Sequence, residues 1–90
     1  MTYEPMTLNN TIELMQSDDY KERFKAEYYQ LVIRYHALVN MLYKWDNGTL
    51  EFEPHSNRGI YNFQVRAMAD YIACLESRAQ IENIDLIDIH

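Results

Sequence analysis

Only two glycines, two prolines, one cysteine and one tryptophan occur in this chain of 90 residues. The two glycines, Gly48 and Gly59, are isolated, so no glycine-rich loop is available to cradle a phosphate. A lone cysteine, Cys74, cannot make an intrachain disulfide framework, which fits a reducing cytoplasm. No eighteen apolar residues run uninterrupted, and the opening MTYEPMTLNN lacks a basic stretch followed by an apolar one. The expectation is a chain that neither spans a membrane nor is secreted. Basic residues are scarce too, with eight Lys and Arg against fourteen Asp and Glu and a formal net charge of −6. Duplex nucleic acid would meet a repulsive average field, which argues against non-specific DNA binding.

Catalytic and metal constellations are also missing. His36, His55 and His90 fall on three different elements, and no Ser-His-Asp or Cys-His pairing follows from spacing. Glu53 and His55 form one two-apart pair, which is not a metal site, and no His-x-x-x-His or Cys-x-x-Cys occurs. Cys74 sits on an apolar helical row and is expected to be a small core residue. The reading is a non-enzyme without cofactor or metal.

What is present is apolar and aromatic, at 48% and 13% of the residues, too much for a disordered chain. Ninety residues make one small domain that buries about 60–65% of its unfolded surface, a marginal core. After Pro5, Asn10 and Glu13 have capping-box spacing and open a short helix over about 11–16. Ser17, Asp18 and Asp19 are N-cap types, with Glu22 three beyond Asp19, so a long helix is expected over about 19–46. Asp46-Asn47-Gly48 should end it. The connector 47–56 alternates apolar and acidic residues up to Pro54, which predicts extended backbone. Ser56 and Asn57 cap a second long helix over about 57–81, and residues 83–90 read as an extended arm.

Within the first long helix Phe24, Tyr28, Leu31, Tyr35, Leu38, Leu42 and Trp45 follow alternating four- and three-residue steps, as do Tyr61, Val65, Met68, Ile72, Leu75 and Ala79 in the second. A short connector makes these helices antiparallel neighbours, giving an all-α fold with a short N-terminal helix and a two-helix hairpin in a single domain over 1–90. Further apolar rows remain: Tyr29, Val32, Ile33, Val39, Met41 and Tyr43 on the first helix; Ile60, Phe63, Ala67, Tyr71, Cys74 and Ile81 on the second. The short helix covers one of them at most. So wide an apolar surface predicts a homo-oligomer, a dimer or higher, in which hairpins join into a helical bundle.

Two surfaces carry possible chemistry. If the hairpin turns between Asn47 and Ser56, residues whose numbers sum to about 103 face one another, which brings Arg34 and Arg66 near His36 as a basic spot suited to a phosphate or carboxylate. The simpler expectation is an ordinary ion pair between Arg66 and Asp70, four residues apart. Tyr28, Tyr35, Tyr61 or Tyr71 could stack on bases, although tyrosines on core rows more often bury the ring and leave the hydroxyl at the rim. At the hairpin tip Asp46, Glu51 and Glu53 concentrate negative charge beside Trp45 and Phe52, both expected to be exposed and fit to enter a basic protein groove. Lys21, Arg23 and Lys25 are interleaved with acids, which reads as a solvated face.

The runs "DYKERFKAEYYQLVIRY", "GTLEF" and "MADYIACLESRAQIENIDL" resemble a family of small phage- and prophage-encoded proteins related to a crAss-like phage protein. The resemblance covers about Asp19 to Leu86 and matches Met68, Tyr71, Leu75, Glu76, Arg78, Ala79, Glu82, Ile84 and Leu86. It departs at Val32, Ile33, His36, Ala37, Val39 and Asn40, where that family is rich in Lys and Glu. It implies a phage genome, the cytoplasm of a bacterial host, and a binding protein that antagonises antiviral defence by stoichiometric capture. Capture of a nucleotide immune signal would use Tyr35, Tyr71, Arg34, Arg66 and Arg78 for stacking and phosphate contact, with His36 beside them. Direct inhibition of a host defence protein, such as a CRISPR nuclease, would use Trp45, Asp46, Glu51, Phe52 and Glu53. An accessory role in phage replication or assembly, through helical dimerisation, is the reading from a different class.

Overall fold

A computed structural model describes residues 6–89, and every regular element in it is helical. Pro5 and His90 lie outside the described residues. A 3₁₀ turn, Leu8–Thr11, runs into a one-turn helix α1, Ile12–Met15, followed by the long helices α2, Tyr20–Asp46, and α3, Arg58–Glu82. The 27 residues of α2 span about 40 Å at 1.5 Å each, close to the 42 Å long axis of the molecule.

Local chemistry explains where each element begins and ends. The Asp19 carboxylate accepts from the Lys21 backbone N–H at 2.9 Å and so satisfies one of the free donors of the first turn of α2. Glu22 does not reach back to complete a box; it pairs with Lys25 at 3.7 Å. Past Asn47, Gly48 takes φ +78°, a left-handed geometry that glycine adopts without a steric penalty. Asn57 caps α3 by accepting from the Ile60 N–H at 3.0 Å. At the far end Asn83 adopts φ 58°, and the Ile84 N–H donates to the Ala79 carbonyl at 2.8 Å, the longer bond of a Schellman motif.

The expected Asn10–Glu13 box is not what starts the N-terminal segment. Asn10 instead serves Thr7, accepting its backbone N–H at 2.8 Å, because the 3₁₀ turn begins three residues earlier than the periodicity implies. Thr11, fully buried, donates to the Leu8 carbonyl at 2.7 Å and accepts from Gln30 Nε2 at 2.9 Å, which pins the segment to α2.

Contacts between α2 and α3 join Tyr20 to Glu82, Tyr28 to Glu76, Trp45 to Tyr61 and Asp46 to Arg58, so the two helices meet in opposite order along their lengths. The core lies toward the start of α2 and the end of α3: Phe24, Tyr28, Tyr29, Val32, Ile72, Leu75, Ala79 and Ile84 form one buried cluster. Ile84 belongs to the C-terminal arm, which carries neither helix nor strand and folds back over α2, with Leu86 and Ile89 against the same cluster. The N-terminal segment and the arm together cover the row of Tyr29 and Val32. Toward the connector the packing thins, with Leu42 buried and Leu38, Trp45, Tyr61, Val65 and Met68 half-buried.

Two burial expectations are corrected. Cys74 is exposed, because among the described residues no segment reaches the outer face of α3. Trp45 is half-buried: its ring meets Tyr61 edge-on at 5.9 Å, and the Arg58 guanidinium stacks over it at 5.4 Å. Among the described residues no helix is long and apolar enough to cross a membrane.

Candidate binding surfaces

A cation binds a ligand anion only where its hydrogen bonds are not already used, so each basic side chain is judged by its partners. Arg78 is engaged within the chain through two of its three guanidinium nitrogens. Its Nε donates to Glu82 Oε2 at 3.0 Å, its Nη2 donates to the Tyr20 hydroxyl, and its guanidinium lies 5.0 Å from the Phe24 ring centre. Tyr20 in turn donates to Glu82 Oε1 at 2.8 Å. The Tyr20 hydrogen bond, then that of Arg78, holds the Glu82 carboxyl below the usual carboxylate range. This cluster ties the start of α2 to the end of α3. Lys21 adds a bond from Nζ to the Asn83 carbonyl at 3.2 Å.

Arg58 is engaged at the other end of the helix pair. Its two terminal nitrogens grip the Asp46 carboxylate, Nη2 to Oδ2 at 3.1 Å, and its Nε donates to Asn62 at 2.9 Å. The Arg58 hydrogen bond lowers the Asp46 pKa. The tip is therefore less acidic than the sequence implies: Asp46 is neutralised and Trp45 covered, leaving Glu51, Phe52 and Glu53 exposed. Nothing local to Asp46 signals this, since its partner lies twelve residues ahead, beyond the connector.

Arg34 and Arg66 behave differently. Both are exposed, and among the described residues neither makes an ion pair or a side-chain hydrogen bond. The expected Arg66–Asp70 pair does not form. Arg34 lines a groove of about 290 Å³ between α1 and α2, together with Met15, Arg23, Glu27, Gln30 and Leu31. Arg23 spends one terminal nitrogen on the Ser17 carbonyl at 2.9 Å, and Glu27 accepts the Tyr71 hydroxyl. Arg66 sits on α3 and does not line this groove, so a single chain does not gather Arg34 and Arg66 into one concavity. Tyr35 is half-buried against the core, with its ring 5.9 Å from that of the half-buried His36. Tyr71 is 43% exposed and bound by its hydroxyl to α2, leaving its ring accessible.

A larger cleft, about 570 Å³, runs beneath the C-terminal arm and went unnoticed in the sequence. Glu76, Asp85 and Asp88 line it with Tyr28, whose hydroxyl donates to Glu76 Oε2 at 2.6 Å. Burial, and then this bond to a carboxylate, push the Tyr28 phenol well above its ordinary pKa. Three carboxylates make the cleft a poor home for a phosphate, so size and anion affinity lie on different sides of the molecule.

No curated protein and no solved structure matches the chain. One family model does, that of Sequestin, over residues 18–81, which takes in α2, the connector and nearly all of α3. More than half of the chain lies within that match, and the chain belongs to the Sequestin family.

Proposed function

We propose that this protein is a non-catalytic capture protein, phage-encoded and acting in the cytoplasm of a bacterial host, which sequesters a phosphate-bearing nucleotide immune signal and so blunts antiviral defence. The observation that carries this reading is the pair of uncommitted guanidiniums, Arg34 and Arg66, on a chain of net charge −6 whose other arginines are bound internally. On an acidic protein an arginine without an internal partner is the side chain able to give planar, two-pronged bonds to a phosphate. The family name, Sequestin, supports sequestration as the mode of action. In this reading α2 and α3 form an antiparallel hairpin, and hairpins assemble into an oligomer that brings together arginines which a single chain keeps apart. Tyr35, His36 and the open ring of Tyr71 are the stacking groups.

Capture without turnover requires no cofactor, metal or catalytic residue. Inhibition of a defence protein through the hairpin tip has less support, because Arg58 neutralises Asp46 and only Glu51 and Glu53 remain as open charges beside Phe52. A structural role in phage replication or assembly is the second reading, favoured by the apolar residues exposed on α3.

The test is native mass spectrometry of the protein purified from phage-infected, defence-carrying bacteria. The expected result is an oligomer carrying a nucleotide-sized mass, released on denaturation and lost in Arg34→Glu or Arg66→Glu. A ligand-free oligomer from those cells would overturn nucleotide capture in favour of the structural role.

A further inference from the structure

The groove between α1 and α2 has apolar walls from Met15, Ala26 and Leu31, and along it Arg23, Glu27, Gln30 and Arg34 stand at i, i+4, i+7 and i+11, one stripe of α2. At about 290 Å³ it lies at the small end of ligand sites, with room for one nucleotide unit. Arg34 is the cation placed to take a phosphate there. Its neighbours one turn away on α2 are Gln30, Leu31, Ala37 and Leu38, none of them acidic. Arg23, by contrast, stands four residues from both Asp19 and Glu27 and spends a nitrogen on the Ser17 carbonyl at 2.9 Å.

Gln30 supplies an acceptor of fixed direction. The Thr11 hydroxyl gives its one hydrogen to the Leu8 carbonyl at 2.7 Å, so toward Gln30 its oxygen can only accept. That turns the amide nitrogen of Gln30 inward, where Nε2 donates to Thr11 Oγ1 at 2.9 Å and to Met15 Sδ at 3.5 Å. Both amide hydrogens are used, and among the described residues nothing donates to Gln30 Oε1. Glu27 supplies a second acceptor, because only one of its carboxylate oxygens is engaged, by the Tyr71 hydroxyl. The same bond brings the exposed Tyr71 ring beside the Glu27 end of the groove.

Along the axis Gln30 stands about 6 Å from Arg34, and Glu27 about 4.5 Å farther on. The order is cation, two acceptors, open aromatic ring. That is the order of phosphate, two hydroxyl donors and base in a ribonucleotide, and a deoxyribose would leave one of the two acceptors without a donor. We infer that the groove seats a ribonucleotide unit in this order: phosphate on Arg34, the two ribose hydroxyls donating to Gln30 Oε1 and Glu27, base on the Tyr71 ring. The inference rests on nucleotide capture as the function and adds the sugar that the site selects.

Titration of isotope-labelled protein with inorganic phosphate, AMP and deoxy-AMP, followed by NMR, tests it. AMP should move the Arg34 Nε–H, the Gln30 side-chain amide and the Tyr71 ring signals together, whereas inorganic phosphate should move Arg34 alone. Deoxy-AMP, which lacks the 2′-hydroxyl, should bind about tenfold more weakly than AMP. Glu27→Ala, at an exposed position, should weaken AMP to the affinity of deoxy-AMP while leaving the phosphate response of Arg34 intact. Equal affinity for AMP and deoxy-AMP would overturn sugar selection, and an AMP response at Arg66 without one at Gln30 would overturn the groove. Either result leaves nucleotide capture standing. No response to any of the three probes, with no nucleotide-sized mass on the protein from infected cells, would overturn both.

Discussion

The backbone N–H of Ile87 donates to the hydroxyl oxygen of Tyr29 over 2.9 Å, joining residues 58 apart in the chain. The Tyr29 ring is 2% exposed, so this bond fastens the C-terminal arm to the most deeply buried row of α2. Tyr29→Phe keeps the ring and leaves the Ile87 N–H without its partner. The expected cost is about 1 kcal/mol in urea unfolding, with amide exchange at Leu75 faster by no more than that global cost and exchange at Ile87 faster by more.

The arm contributes through its side chains as well. Ile84 is 6% exposed and Ile87 is 61% exposed, three residues away on the same segment. Ile84→Ala should destabilise the fold by about 2–4 kcal/mol, because it removes buried methyl groups and leaves a cavity in the main cluster. Ile87→Ala should change stability by no more than about 0.5 kcal/mol. Equal effects by thermal unfolding would mean that the arm does not hold this position in solution.

Three of the four caps of the long helices were legible in the sequence because each is a local signal: Asp19, Gly48 and Asn57 act within three residues of themselves, whereas the left-handed cap at Asn83 was not read. The seam was legible for a related reason, since a 3.6-residue repeat identifies the side that must be covered. What covers it was not. Residues 84–89 read Ile-Asp-Leu-Ile-Asp-Ile, a pattern that suggests an extended arm but does not say which surface its apolar side chains meet. Cys74 shows the converse, an apolar row that the monomer leaves open. Of the proposed ligand groups, hairpin register singled out Arg34 and Arg66, and Arg78 joined them by residue type. Only tertiary contacts separate Arg78, held by Tyr20, Glu82 and Phe24, from the two without partners among the described residues.

Burial ranks two charge substitutions along the seam. Leu75 is 1% exposed in the main cluster, whereas Leu38 is half-buried where the packing thins. Leu75→Asp forces an unpaired carboxylate into the core and should abolish folding, read as loss of helical circular dichroism. Leu38→Asp can turn its carboxylate toward water and should leave a folded chain with a lower melting temperature. A native-like Leu75→Asp protein would refute the core described for α2 and α3.

Glu82 sets an expected acid response. Its carboxyl titrates below the usual range when folded, because Tyr20 and Arg78 donate to the ionised form. A depressed folded pKa contributes stability above the unfolded carboxyl value of about 4.3, and that stability disappears as pH falls through the lower folded value. Glu82→Gln should therefore flatten the melting temperature against pH below about 4 relative to the unaltered protein. It should leave the profile near neutrality parallel.

Tyr28 sets the opposite limit. Its phenol is buried and hydrogen-bonded to Glu76, so ionisation would bring a second negative charge beside a carboxylate, and the folded pKa is raised. The folded state then holds the phenolic proton at pH values where the unfolded chain, with a tyrosine pKa of about 10, has released it. Stability from this group is complete below about pH 10 and falls by up to about 1.4 kcal/mol per pH unit above it. Tyr28→Phe removes the titrating group and should make the alkaline decline shallower, although the variant begins less stable at pH 7 for want of the bond to Glu76. Following phenolate absorbance during the same titration separates the causes. In the unaltered protein one tyrosine should ionise only as the helical signal is lost, and in Tyr28→Phe that late step should be missing.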